Sequence, residues 1–476
     1  MFNDADLRER AAKVVPGGMY GHLNAALHGP GYPQFFVGGE GCRQRDADGR
    51  EYVDLMCSWG PIVIGHRHPA VEAAVAAQLA EGDCLNGPGP VYVELAELMV
   101  ETVPQAEWVM FSKNGTDATT QALMIARAAT GRTKVLMAHG SYHGADPWCT
   151  PSLSGTTPNE RADLIEYTYN DLASAEAAAA QAEGDVAAII VTPFKHDSFE
   201  DQELAAGEFA RGLRALADRI GAALVIDDVR GGWRLDLGGS WETLGVRPDL
   251  YAFSKAMANG YPIAAVTGVD SLRGPAQTIY STGSFWFNAA PMAAAKATIE
   301  TLRAIDGVAL MERAGTRLRE GLAAQAASHG FVVNQTGPVQ IPWLSFEGDA
   351  TLEKAMFWSS ACLREGVYLH PGTTGSCRPP TPTPTSTGPC REPTPPTPSS
   401  GPRSAPTDPE GAEGGHPART TGCPPRGRFS RGPGSPAGTG RRRTPITLRA
   451  WVFAGMGRFR PGIRFSSPTP RTSVTR

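Results

Sequence analysis

Leu224-Val225-Ile226-Asp227-Asp228-Val229 is a short apolar run that ends in two carboxylates, and Leu250-Tyr251-Ala252-Phe253-Ser254-Lys255 is a second that ends in an amine. Runs of this length and composition read as buried strands. Outward from them, strand and helix patterns alternate. Helical spacing covers residues 71–80, 91–103 and 116–130, the last stopped by Gly131. Apolar runs stand at 108–111, 135–138, 187–191, 223–226, 250–253 and 264–267. Near-continuous apolar strands separated by helices predict an α/β fold with a mostly parallel sheet covered by helices on both faces. Residues 45–54 read as a hairpin turning at Gly49. The expected organisation is a large domain over residues 51–300, and a smaller α+β domain made of residues 1–50 and 301–371.

Ligands of parallel sheets bind at the carboxyl ends of the strands, and both Asp227 and Lys255 stand there. A lysine at one strand end and an acid at another suit pyridoxal phosphate (PLP). The amine forms a Schiff base, and the acid keeps the pyridine nitrogen protonated so that the ring draws electrons. The ordinary alternative for such a pair is a surface salt bridge, and their shared place at the sheet edge favours the cofactor. Of the seven lysines, Lys13, Lys296 and Lys354 fall in helical patterns, Lys134 opens a strand, and Lys113 and Lys195 lie in loops.

Two more segments converge on the same edge. Phe111-Ser112-Lys113-Asn114-Gly115-Thr116-Asp117-Ala118 runs from a strand end through a Gly turn into a helix. The free amides and dipole of such a helix start attract a phosphate, although Thr116 alone reads equally well as an N-cap. Tyr142, in Gly140-Ser141-Tyr142-His143-Gly144, follows the 135–138 strand and could stack on a pyridine ring, the ordinary alternative being a loop aromatic that covers the core. Gly65-His66-Arg67-His68-Pro69 lacks a third ligand of suitable spacing, so no metal is expected.

Charge excludes some partners. Residues 372–476 hold 16 of the arginines and four acidic residues, which leaves 28 basic and 44 acidic residues before Gly372, a net of −16. An acidic body argues against nucleic acid as a partner. No apolar run reaches the about 18 residues of a membrane helix, and residues 1–15 form a charged helix with no apolar signal core. Eight cysteines without CxxC spacing suit reduced thiols in the cytoplasm.

Taken together, Pro16-Gly17-Gly18, Asp46-Ala47-Asp48-Gly49, Ser58-Trp59-Gly60-Pro61, Asn114-Gly115-Thr116-Asp117-Ala118, Tyr142-His143-Gly144, Asp227-Asp228-Val229, Gly232-Trp233-Arg234 and Ser254-Lys255-Ala256 resemble class III PLP-dependent aminotransferases, on the glutamate-1-semialdehyde 2,1-aminomutase branch. The resemblance is collinear over about residues 5–371. It implies a fold-type-I homodimer in which Lys255 is the Schiff-base lysine and Asp227 partners the ring nitrogen. It also implies that Gly115 and Thr116 hold the phosphate, Tyr142 and Val229 contact the ring, and Ser284 serves the neighbouring subunit's phosphate. The aminomutase's carboxylate-gripping arginine corresponds to Asn24, which cannot form a bidentate charged clamp. His22, Asn24 and Trp59 are therefore the expected substrate wall. Amino transfer between a donor amine and an aldehyde or ketone is expected, with intramolecular aminomutase (isomerase) activity as the alternative and a non-catalytic product as a further one.

The family's last segment should follow Gly366-Val367-Tyr368-Leu369-His370-Pro371, but residues 372–476 are Pro/Thr/Arg-rich, a composition that predicts disorder. A one-base frame shift accounts for the change. Read in the neighbouring frame, residues 372–390 are compatible with Trp-His-Asn-Trp-Phe-Leu-Ser-Ala-Ala-His-Thr-Asp-Ala-Asp-Ile-Asp-Arg-Ala-Leu, a string that resembles the family's C-terminal strand and helix.

Overall fold

A computed structural model describes residues 3–196 and 200–371 of this chain. The expectations for residues 372–476 lie outside those residues. Helix α1 (Asp4–Val14) opens the chain under an Asn3 cap. Its one buried residue is Asp4, whose carboxylate accepts from the Gln34 and Phe35 amides, so a polar anchor and not an apolar stripe fastens it. Strands β1 (Phe36–Glu40), β2 (Arg43–Asp46) and β3 (Glu51–Asp54) form an antiparallel meander, with Gly49 at φ +85° in the expected turn. Helices α2 (Pro69–Glu81) and α3 (Val91–Thr102) follow.

Then comes the alternation: β4 (Trp108–Ser112), α4 (Gly115–Thr130), β5 (Lys134–Ala138), β6 (Leu164–Tyr167), α5 (Leu172–Gln181) and β7 (Val186–Val191). A short hairpin of β8 (Phe194–Lys195) and β9 (Glu203–Leu204) leads to α6 (Gly207–Ile220), β10 (Ala223–Asp227), β11 (Leu250–Phe253), β12 (Ala264–Gly268) and α7 (Arg273–Thr278). The chain closes with α8 (Ala289–Ala304), α9 (Gly307–Ser328), β13 (Val333–Thr336), β14 (Trp343–Phe346), α10 (Glu353–Arg364) and β15 (Val367–Tyr368). Because β15 pairs in parallel with β3, residues from both ends of the described chain share one sheet.

The seven-stranded sheet has the order β4-β12-β11-β10-β7-β5-β6. Its strands are parallel except β12, which is antiparallel to both of its neighbours. Successive side chains of a strand point to opposite faces, and here both faces are apolar. Leu224 and Ile226 join Tyr251 and Phe253 on one face, against Phe209, Leu213 and Met292. Val225 joins Leu250 and Ala252 on the other, against Ala118, Ala122 and Leu123 of α4. Helices therefore cover both faces, as the uninterrupted apolar strands imply. The expected strands agree with the structure to within a residue or so, but β6 was not legible as one. It is an edge strand with a single partner and partly exposed side chains, so no continuous apolar run marks it.

Candidate active site

β10 and β11 are adjacent and parallel, with Asp227 in register with Ala252. The carboxylate thus ends one strand, and Lys255 stands three residues past its neighbour's register point. Lys255 has φ +44°, a left-handed conformation that costs a side-chain-bearing residue about 1–2 kcal/mol. Distant contacts hold this turn. Asn259 Oδ1 accepts from the Val63 and Ile64 amides (2.9 and 3.0 Å), and its Nδ2 donates to the Gly65 carbonyl (2.8 Å). Buried Arg234 donates to the carbonyls of Gly60 and Ile62. The loop so fastened contains Cys57, Ser58 and Trp59, all at positive φ, and lies against the lysine: a Cβ on Gly60 would sit 3.4 Å from Lys255 Cδ. Burial, then the charges of Arg230 and Arg234, push the Lys255 amine down to about 7, while Asp227 acts in the opposite direction.

Asp227 is 5% exposed. Its Oδ2 is bonded to His143 Nδ1 at 2.8 Å, and its Oδ1 accepts from the Val229 amide at 3.2 Å. The imidazole fixes the carboxylate's orientation in the manner of an outer-shell partner. Asp228 has a different task. Its two oxygens accept from the Ser240 hydroxyl and amide (2.5 and 2.8 Å), and burial raises its acid to about 7. The carboxylate pair seen in the sequence thus divides, Asp227 held by His143 and the Val229 amide and Asp228 by Ser240.

At the start of α4, Asn114 and not Thr116 is the N-cap, and it forms a reciprocal box with Asp117. The Thr116 hydroxyl accepts from the Ala145 amide at 3.1 Å. Gly144, at φ +140°, leaves no room for a side chain there, since a Cβ would fall 2.5 Å from Thr116 Oγ1. A Cβ on Gly115 would lie 2.8 and 2.9 Å from the two Val229 methyls, so the helix start and the β10 turn are in close contact. Tyr142 is 44% exposed and within electrostatic reach of Asp227 and Arg230. Ser284 is exposed, its carbonyl accepting from Cys84 Sγ.

The expected wall is partly assembled. His22 meets Trp59 edge to face at 4.6 Å, and Trp59 also meets His28 and His370 at 6.1 and 4.9 Å. Burial lowers all three imidazoles, His370 to about 3, so the wall is neutral at physiological pH. The Asn24 amide is engaged with the main chain, donating to the Met19 carbonyl (3.1 Å) and accepting from the Ala26 amide (3.0 Å). His66, one of the two histidines weighed as a metal ligand, is bonded to Asp54 at 2.7 Å. Sequence reasoning gave no role to His28, Asn259, Arg230, Arg234 or His370, nor to His143, although it stands beside Tyr142.

These residues fit PLP. A near-neutral amine, a buried carboxylate braced by an imidazole and the open N-terminus of a 16-residue helix meet at one sheet edge. Comparison with known proteins agrees. Residues 28–371 match the class III aminotransferase family. The chain is 48% identical over 366 residues to an aminopentol aminotransferase of Sphingopyxis macrogoltabida, covering 77% of this chain and 87% of that one. It is 33% identical over 397 residues to a glutamate-1-semialdehyde 2,1-aminomutase of Chlorobium phaeovibrioides (78% and 92% covered). The structure of the Sphingopyxis sp. FumI protein in its PLP internal aldimine form superimposes with a TM-score of 0.78 at 46% identity, covering 79% of this chain and 91% of that one. The chain belongs to the class III aminotransferase family. It is a fold-type-I, PLP-dependent aminotransferase that moves an amino group between a donor amine and a carbonyl acceptor.

Proposed function

We propose that the donor of this aminotransferase is an uncharged, hydroxyl-bearing alkyl amine, and that Lys255 and Asp227 are its catalytic and cofactor-orienting residues. The neutral Trp59–imidazole wall carries the first part. His22, His28 and His370 offer hydrogen-bonding groups without a charge, and Asn24 gives a substrate carboxylate no guanidinium. The name of the 48%-identical relative, which denotes an amine bearing five hydroxyl groups, points the same way.

PLP, when bound, supplies a conjugated pyridinium that draws electrons from the carbon bearing the transferred amine. Lys255 Nζ, held near neutrality by burial, takes the proton from that carbon; an ordinary lysine would be charged and unable to accept it. Asp227 would partner the ring nitrogen, and His143 keeps its carboxylate from rotating away. Gly115 and Thr116 would hold the phosphate at the start of α4, and Val229, which packs against Gly115, would bound the ring together with Tyr142.

The working unit is a cytoplasmic homodimer in which Ser284 completes the neighbour's phosphate site. Its neighbours Tyr280, Phe285 and Phe287, with Leu85 beside Cys84, expose large apolar side chains for a second copy to cover. The smaller domain combines the β1–β3 meander with β15 and the segment from about residue 301. Among the described residues no helix is long and apolar enough to cross a membrane, and Cys42, Cys57, Cys84, Cys149 and Cys362 carry free thiols.

The test is a donor panel of amino alcohols, α-amino acids and glutamate-1-semialdehyde, with release of the carbonyl product measured. Amino alcohols should lead, and the semialdehyde should be poor. Efficient isomerisation of the semialdehyde without release of a carbonyl product would instead establish the aminomutase alternative.

A further inference from the structure

Trp59 stands in the loop of residues 55–65, which leaves β3 after Asp54 and returns toward α2 at His66. The loop's two feet are fastened. Gly41 and His66 exchange main-chain bonds of 2.9 Å, and the Leu55 amide donates to the Tyr368 carbonyl of β15 at 3.1 Å. Between them, Cys57, Ser58 and Trp59 follow one another at φ +52°, +54° and +65°. A left-handed residue that bears a side chain costs about 1–2 kcal/mol, so such a run persists only where its surroundings over-determine it. Asn259 and Arg234 do this for the second half of the loop, holding Gly60, Ile62, Val63 and Gly65.

Asp54 does it for the first half. Its side chain is wholly buried. One oxygen accepts from the amides of Met56 (2.9 Å) and Cys57 (2.8 Å), at the entry to the left-handed run. From there the Met56 carbonyl accepts from the Trp59 amide (3.2 Å), and the Cys57 carbonyl from the Gly60 and Ile62 amides (3.0 and 3.2 Å). The other Asp54 oxygen is bonded to His66 Nε2 at 2.7 Å, so one carboxylate joins the loop's entry to its exit. The imidazole is wedged in turn, since a Cβ on Gly39 of β1 would fall 2.9 Å from His66 Cγ. A carboxylate that only capped a turn would not need the second bond, and a loop that only joined β3 to α2 would not need side chains at positive φ. What this loop carries is the Trp59 indole, met by His22, His28 and His370, and Gly60 beside Lys255.

We propose that Asp54 and His66 are positioning residues for donor selectivity: the pair sets where the Trp59 indole stands, without itself touching substrate or cofactor. This rests on the reading of Trp59 as part of the substrate wall. Loosening the loop's entry lets the left-handed run relax toward ordinary φ, and the indole at its end moves with it. A donor with a branched alkyl chain reaches the wall and a minimal donor does not, so the two report on the indole differently. A misplacement of about 1 Å costs about 100-fold where positioning matters, and a shift of about half that is expected to cost about 10-fold.

The experiment uses the holoenzyme as wild type, His66→Ala, His66→Gln, Trp59→Ala and the His66→Ala/Trp59→Ala double variant. For each, kcat/KM is measured for leucinol and for ethanolamine with one acceptor, alongside thermal unfolding. His66→Ala and Trp59→Ala should each lower the leucinol-to-ethanolamine ratio about 10-fold. The double variant should fall no further than Trp59→Ala alone, because a residue that acts through another is not additive with it. His66→Gln, whose amide can donate to Asp54, should recover part of the loss. Losses that multiply in the double variant, an unchanged ratio in His66→Ala, or an equal loss for both donors accompanied by a lower unfolding temperature would overturn the assignment and make the pair a folding element only. An unchanged ratio in Trp59→Ala would tell instead against the underlying reading of the wall. Should His66→Ala give no soluble holoenzyme, Asp54→Asn takes its place in the cycle with the same outcomes, since asparagine keeps an acceptor for the two amides and loses the carboxylate oxygen that holds His66.

Discussion

Gly115→Ala is the sharpest probe of the cofactor cradle, because the structure fixes what the added methyl meets. Its Cβ would lie 2.8 and 2.9 Å from Val229 Cγ1 and Cγ2, whereas carbon atoms in contact prefer about 3.5–4.0 Å. Either Val229 or the start of α4 must retreat by several tenths of an ångström. Both neighbours border the proposed cradle, so the movement falls where the ring and phosphate would be held. Overpacking of this kind costs about 1–3 kcal/mol. At about 1.4 kcal/mol per tenfold, the dissociation constant of PLP should rise about 5- to 140-fold. The assay is a spectrophotometric titration of the PLP-free protein with PLP, with thermal unfolding of the same PLP-free samples as a control. Gly115→Ala combined with Val229→Ala removes the clash and should recover most of the lost affinity, since contacting residues couple strongly. Wild-type affinity in the single variant, or a double variant as weak as the single one, would refute the reasoning.

Three further outcomes follow from the geometry and the sequence. The buried Lys255 amine titrates near 7 in the folded protein against 10.5 in an ordinary environment. The unfolded chain thus binds more protons between those values, and stability rises with pH across that window. In the PLP-free protein, Lys255→Met should therefore be stabilising below pH 7, with the gain fading toward pH 10.5. Urea midpoints at pH 6.5 and 9.5 with equal gains would contradict this. Phe285→Glu, placed in the exposed apolar patch beside Ser284, should shift sedimentation toward monomer and loosen PLP; a native enzyme that is monomeric and fully active would contradict it. Finally, resequencing the codons around Pro371 should reveal the one-base shift, and the frame-restored chain should be more soluble than the chain as written. Leu318, Leu322, Leu344, Trp358 and Leu369 line a groove that ends at Pro371, an apolar surface suited to the restored segment. An intact frame with a soluble, active protein ending at Arg476 would contradict it.

The sequence by itself determined the sheet and the strand ends and helix start that meet at its edge. Continuous apolar runs such as 187–191 and 223–226 carry their own signature, since a strand buried on both faces has no polar position to interrupt it. Asp227, Lys255 and the Gly115–Thr116 helix start were legible because strand ends and helix starts are local features, and topology places them together at one edge. What only the tertiary structure decided are side-chain contacts across long separations. His143 finds Asp227 84 positions away, Asn259 clamps Val63 across 196, and Arg234 reaches Gly60 across 174. None of these pairs has a period or spacing that announces it, because each partner is set by how separate elements pack. The same reason hid the division of labour between Asp227 and Asp228. Adjacent in sequence, they alternate across the strand end, one bonded to His143 and the other to Ser240.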